Sequence, residues 1–118
     1  MNYQFTVKSS SGDPYVAEVN TDDGTVRVLC GCAAGSLGQM CKHKAAIIEG
    51  DLTMLSDPDL EPLFTAAHEA LSKSPVATKY HEMQEALAGI EREMAALKKR
   101  EKALKAAFAR ILADGVPV

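Results

Sequence analysis

Cys30-Gly31-Cys32-Ala33-Ala34-Gly35-Ser36-Leu37-Gly38-Gln39-Met40-Cys41-Lys42-His43 holds all three cysteines of the 118-residue chain and ends on a histidine. Thiolate and imidazole are the ligands zinc prefers, and four of them close a tetrahedral site with no position left for water or substrate. Cys30, Cys32, Cys41 and His43 are therefore the candidate ligands of one structural Zn2+ per chain. The same residues can also be read as buried thiols beside a surface histidine, or as a disulfide with one cysteine left over. A Cys30–Cys32 disulfide closes a very small, strained ring, and nothing upstream has the pattern of a secretion signal.

The spacing is workable for metal binding. Two cysteines separated by Gly31 at a strand end can turn their sulfurs toward one point, because glycine tolerates backbone angles that other residues avoid. Residues two apart on a regular helix face nearly opposite ways, so Cys41 and His43 cannot both lie mid-helix. They are expected to straddle a helix start, where free N–H groups and the positive dipole end favour thiolate over thiol.

With Cys30, Cys32, Cys41 and His43 in place, the pattern Cys-x-Cys, spacer, Cys-x-His resembles the SWIM-type zinc finger. The likeness extends to the preceding strands, to Lys42 inside the final pair and to the helix after it, roughly residues 3–50. The resemblance implies a zinc-stabilised ββα-like module that binds DNA or other proteins and is usually attached to larger machines. Two features depart from that pattern. The spacer Ala33–Gly38 lacks the aromatic residue often seen after the second cysteine, and no large catalytic domain accompanies the finger.

Around this centre the chain suits one small domain plus an appendage, a size at which a core often needs a staple such as a metal. Hydrophobic content of 47% with 25% charged residues is that of a soluble globular protein. No apolar run is long enough to span a bilayer, and unpaired cysteines imply a cytoplasmic setting. The formal charge is −3, and residues 1–57 carry four basic against seven acidic side chains, so the finger half is not a basic patch.

Taken in order, residues 3–8 alternate apolar and polar, residues 15–20 form a second strand, Thr21-Asp22-Asp23-Gly24 reads as a hairpin turn, and residues 25–29 form a third strand that delivers the chain to Cys30. Tyr3, Phe5 and Tyr15 are read as core and strand-pair residues rather than base-stacking platforms. Residues 42–48 read as a short helix that Gly50 ends. A further helix is expected from Asp59 as its cap, with Pro62 in the first turn and Leu60, Leu63, Phe64, Ala67 and Leu71 as its apolar stripe. Ser74-Pro75 then marks a boundary.

From Thr78 to Asp114 the chain is free of proline and places Tyr80, Met83, Leu87, Ile90, Met94, Leu97, Glu101, Leu104, Phe108 and Ile111 at 3-4 spacing, a coiled-coil signature. Leu87, Ile90, Met94, Leu97, Leu104 and Phe108 are the expected dimerisation residues. In a parallel pair Glu101 would face Glu101 and Arg100 would approach Lys105. An antiparallel homodimer centred level with Ala95 and Ala96 sets Leu87 against Leu104 and Met94 against Leu97, with Glu91 meeting Lys98 and Glu93 meeting Arg100.

The expected class is thus α+β: a zinc-stabilised, three-stranded antiparallel sheet with a short helix over 1–57, a linker helix packing on it over 58–75, and a long coiled-coil helix over 76–118. The chain has no glycine-rich phosphate loop, nucleophile elbow or His-Glu-x-x-His helix, so no enzyme is expected. His68 and His81 are read as solvent-facing. Two functional readings follow. In the first, a non-catalytic finger recognises a protein partner, such as a nucleic-acid-processing enzyme, and the long helix dimerises it. In the second, Lys42 and Lys44, with Lys98, Lys99, Arg100, Lys102 and Lys105 of the last helix, contact the phosphates of DNA or RNA.

Overall fold

The computed structural model describes residues 1–118. Three strands, β1 (Asn2–Val7), β2 (Tyr15–Asp22) and β3 (Thr25–Cys30), form an antiparallel sheet in the order β1-β2-β3. Four helices follow, α1 (Ala33–Ser36), α2 (Lys42–Glu49), α3 (Glu61–Ser72) and α4 (Pro75–Asp114), with 3-10 turns at Leu52–Met54 and Pro58–Leu60. The class is α+β, as the pattern implied.

The hairpin between β2 and β3 turns through Asp23 and Gly24, both at positive φ (53° and 73°). That is the mirror-image turn whose twist matches two antiparallel strands, and Asp-Gly is among the few pairs that adopt it cheaply. Its register sets Val19 opposite Val28 and Ala17 opposite Cys30. Because side chains alternate across a strand, Phe5, Val7, Ala17, Val19 and Cys30 all fall on one face and are buried there, while Gln4, Val16 and Leu29 face out.

Helices α2 and α3 cover the buried face. Helix α2 contributes His43, Ala46 and Ile47, the one-turn spacing of a single helix face. Helix α3 contributes Phe64, Ala67 and Leu71, and the Phe64 ring meets Phe5 edge-on with centroids 5.2 Å apart. Leu60 is only half-buried and Leu63 is exposed, so the stripe is narrower than expected: Leu63 lies one residue, about 100° of helix rotation, from Phe64.

Several boundaries differ from the sequence reading. Helix α3 starts at Glu61 rather than at an Asp59 cap, because Asp57 accepts the Asp59 N–H at 3.0 Å and winds Pro58–Leu60 into a 3-10 turn. Pro62 still falls in the first helical turn. Helix α4 starts at Pro75, where Ser74 Oγ accepts the Val76 N–H at 3.2 Å; Ser74-Pro75 is a boundary and also a helix start. Leu55 was not anticipated in the core. It bridges to Val7, flanked by Lys8 N–H donating to the Met54 carbonyl (2.8 Å) and Ser56 N–H to the Thr6 carbonyl (3.1 Å), which extends the sheet beyond β1.

Two interactions correct the reading of individual side chains. His68 is half-buried rather than solvent-facing; its Nδ1–H donates to the Ile47 carbonyl at 3.1 Å, satisfying an open end of α2. Gly50 ends α2 at φ 76°, and a Cβ there would lie 2.9 Å from the His68 ring. Tyr80, expected on the coiled-coil seam, is half-buried and donates its hydroxyl to Glu49 Oε1 at 3.1 Å. Burial, then the bond to Glu49, raises its pKa above the usual tyrosine value.

The chain divides into two compact units, Met1–Tyr80 and His81–Val118. The second is the remainder of α4 and its tail, and none of its residues is buried. His81 is exposed there and lies 3.2 Å from Glu85, one turn on. No helix is long and apolar enough to cross a membrane.

Candidate metal centre

Each candidate ligand is placed by local structure. Cys30 ends β3, and the ladder continues one residue further, with Gly31 N–H donating to the Val16 carbonyl at 2.9 Å. Cys32 then N-caps α1, its Sγ accepting the Gly35 N–H at 3.2 Å. Cys41 N-caps α2, its Sγ accepting the Lys44 N–H at 3.4 Å. Both sulfurs therefore sit where the Ser or Asp of an ordinary cap would, against unpaired helix N–H groups. His43 follows in the first turn of α2, so Cys41 and His43 do straddle a helix start.

The spacer between the ligand pairs is a structured piece. Its four-residue helix α1 folds back so closely that a Cβ on Gly35 would stand 2.4 Å from the Cys30 carbonyl oxygen. Only glycine fits there. The chain then turns at Gly38 (φ 75°), and Lys44 Nζ donates to the Gln39 carbonyl at 2.8 Å, bracing the loop against α2.

The four ligand atoms lie within 4.8 Å of one another. A tetrahedral ion with bonds of about 2.3 Å to sulfur and about 2.0 Å to nitrogen sets its ligands roughly 3.5–3.8 Å apart, so the cluster is of the right size. Cys30 Sγ and His43 Nδ1 stand 3.5 Å apart. The other imidazole nitrogen, Nε2, donates to the Lys8 carbonyl at 2.6 Å. That bond fixes the tautomer: with the proton on Nε2, the lone pair of Nδ1 points at the sulfurs, the arrangement seen when a backbone carbonyl orients a metal-bound histidine. Tyr15 packs its ring edge-to-face on His43 with centroids 5.8 Å apart.

Electrostatics agree with this geometry. Burial pushes the Cys30 thiol up to about 12. For Cys32 burial acts in the same direction but is outweighed by the Gly35 N–H, His43 and the neighbouring thiols, which hold it down to about 6. The Cys32 sulfur is thus prepared as thiolate, while Cys30 needs a nearby cation to lose its proton. Cys30, Cys32 and His43 are buried and Cys41 half-buried, and no disulfide joins the cysteines. Three sulfurs and an imidazole nitrogen converging in a mostly buried cluster fit a bound metal ion, and four such ligands leave a tetrahedral ion no open position.

The residues expected to contact nucleic acid are divided between the two units. Lys42 is exposed at the start of α2, whereas Lys44 is half-buried and occupied with Gln39. Lys98, Lys99, Arg100, Lys102 and Lys105 are exposed in the second unit, with Lys105 paired to Glu101 at 2.9 Å. The expected dimerisation residues Leu87, Ile90, Met94, Leu97, Leu104 and Phe108 are all exposed along α4.

The sequence reading missed the Lys8 carbonyl and Gly35. A backbone acceptor leaves no mark on residue identity, and Gly35 stood in the sequence only as one of two glycines in a spacer for which no helix was expected. No family model, no curated protein and no solved structure matches the chain.

Proposed function

We propose that the chain is a non-catalytic, zinc-binding protein of SWIM type, in which one Zn2+ held by Cys30, Cys32, Cys41 and His43 staples the sheet to α1 and α2 and so presents a surface to a protein partner. The observation that carries the reading is the closed ligand set: four protein donors within 4.8 Å, one of them oriented by the Lys8 carbonyl. A site of this kind supplies folding energy rather than a reaction centre. Zinc is favoured over other ions by the three sulfurs and one imidazole, and the unpaired cysteines suit a reducing, cytoplasmic setting.

A protein is favoured over a nucleic acid by the surface the staple supports. The outer sheet face carries Val16 (54% exposed) and Leu29 (48% exposed), which line a shallow depression of about 320 Å³ with Glu18, Gly35 and Ser36. Exposed apolar side chains beside the acidic Glu18 suit a protein surface better than a phosphate backbone.

The test has two arms. Native mass spectrometry of chain purified without chelator is expected to give one zinc per chain, and a folded chain without metal overturns the proposal. Fluorescence anisotropy with labelled duplex and single-stranded probes is expected to show no saturable binding at physiological salt. Saturable binding that weakens steeply with salt and is lost in Lys42→Glu or in Lys98→Glu/Lys99→Glu transfers the chain to the nucleic-acid reading.

A further inference from the structure

The second unit is a helix without a partner. From His81 to Asp114 α4 continues unbroken for roughly 50 Å, and Leu87, Ile90, Met94, Leu97, Leu104 and Phe108 are each at least half exposed. A stripe of this length on a lone helix faces water along its whole course, whereas helices draw most of their stability from packing such a stripe. What covers it can be argued from the order of residues along it.

The stripe is a palindrome. Read from both ends toward a point level with Ala95 and Ala96, Met83 meets Phe108, Leu87 meets Leu104, Ile90 meets Glu101 and Met94 meets Leu97. Every seam residue from Met83 to Phe108 therefore finds another seam residue when a second helix lies antiparallel in this register. The flanking positions match as well: Glu91 faces Lys98, Glu93 faces Arg100, Gln84 faces Lys105 and Ala86 faces Ala107. Each charged pairing occurs twice by symmetry, and none brings like charges together. The parallel alternative keeps Glu93 near Lys98 but stacks Glu101 on Glu101 and sets Arg100 beside Lys105. Glu101, the one charged seam residue, is already paired with its own Lys105 at 2.9 Å, which keeps its carboxylate at the seam's edge opposite Ile90. Tyr80 is committed to Glu49, so the seam begins at Met83 and leaves Ile111 outside it.

We propose that this face of α4 is covered by a second copy of the chain, as an antiparallel two-helix pair in the register that sets Met94 against Leu97. The antiparallel order places the two helix N-termini at opposite ends of the pair, so the dimer is bivalent. This proposal does not depend on what the finger binds or on which metal it holds.

Sedimentation equilibrium of the full zinc-loaded chain is expected to give a dimer. Register is read by paired cysteines. Glu91→Cys/Lys98→Cys is expected to give a covalent dimer in a glutathione redox buffer, because the two positions face each other across the antiparallel pair while lying two turns apart within one helix. Glu93→Cys/Lys98→Cys places cysteines that face each other only in the parallel arrangement, and it is expected to stay uncrosslinked. Met94→Asp/Leu97→Asp is expected to give a monomer with unchanged zinc content, since neither side chain belongs to the finger's unit. Glu91→Lys is expected to weaken the dimer at least tenfold, and adding Lys98→Glu to restore it. A monomeric wild-type chain, any larger assembly, or crosslinking of the Glu93/Lys98 variant in place of the Glu91/Lys98 variant overturns the proposal.

Discussion

Gly35→Ala is the substitution whose outcome depends most sharply on the tertiary structure. By helix propensity alone it should stabilise, since alanine is better than glycine inside a helix by about 1 kcal/mol. The fold reverses the sign. A methyl group at residue 35 would stand 2.4 Å from the Cys30 carbonyl oxygen and 2.9 Å from the Cys30 Cβ, both far inside van der Waals contact. Relief requires α1 to move outward by roughly 1 Å, at an overpacking cost of about 1–3 kcal/mol or more. Helix α1 is capped by Cys32, so the movement carries a ligand with it, and metal–ligand distances tolerate only about 0.2 Å. A contact as short as 2.4 Å puts the cost at the upper end of that range, so with the propensity gain subtracted a net loss of about 2 kcal/mol is expected, or a fall in Tm of about 8–16 °C for a unit of this size. The fall should come with weaker retention of zinc against a competing chelator. Gly38→Ala is the control: it has nothing within 4 Å and only its positive φ of 75° to strain it, so it should lose about 1 kcal/mol without loosening the metal. A Gly35→Ala chain that melts at or above the wild-type temperature with undiminished zinc retention refutes the placement of α1 against Cys30.

Three further outcomes are expected. Phe64→Ala removes a ring that is 1% exposed and packed on Phe5, and should cost about 3–5 kcal/mol by urea denaturation; a loss under 1 kcal/mol would mean that α3 does not pack on the sheet as described. His68→Ala leaves the Ile47 carbonyl with only the longer bond from the Gly50 N–H (3.3 Å) and should cost about 1 kcal/mol, while His81→Ala, in the exposed second unit, should be near neutral; equal effects would contradict the bond to α2. Tyr80 is a group whose folded pKa is raised, so its contribution to stability is present below the unfolded value near 10 and is lost as pH rises through the folded pKa. The difference between the ultraviolet titrations of wild type and Tyr80→Phe should therefore show a midpoint above 10, and a midpoint at or below 10 would break the Tyr80–Glu49 contact.

The legible parts of this chain were those in which one residue type admits few roles. The four candidate ligands, which the structure brings together, were picked out from three cysteines and a histidine within one short stretch, because thiolate and imidazole in that density have few other uses. The strands followed from period-two alternation, the hairpin from Asp23-Gly24, and the long helix from its 3-4 spacing, all of them consequences of backbone geometry acting over a few residues. The structure added what depends on approach between distant segments. The Lys8 carbonyl that turns Nδ1 of His43 toward the sulfurs lies 35 residues away in sequence. Gly35 is required by the Cys30 backbone rather than by its own φ, and Leu55 enters the core only because Val7 offers it an edge. Asp59 and Tyr80 were misplaced for the same reason: capping and seam patterns are local, and neither could show that Asp57 would take the Asp59 N–H or that Glu49 would hold the tyrosine hydroxyl. Residue identity thus decided the chemistry of the centre and the type of each element, since these are set by side-chain donors and by periodicity. The choice of which imidazole nitrogen points at the sulfurs, which glycine is indispensable and where Tyr80 is held rested on contacts that exist only once the chain has closed on itself.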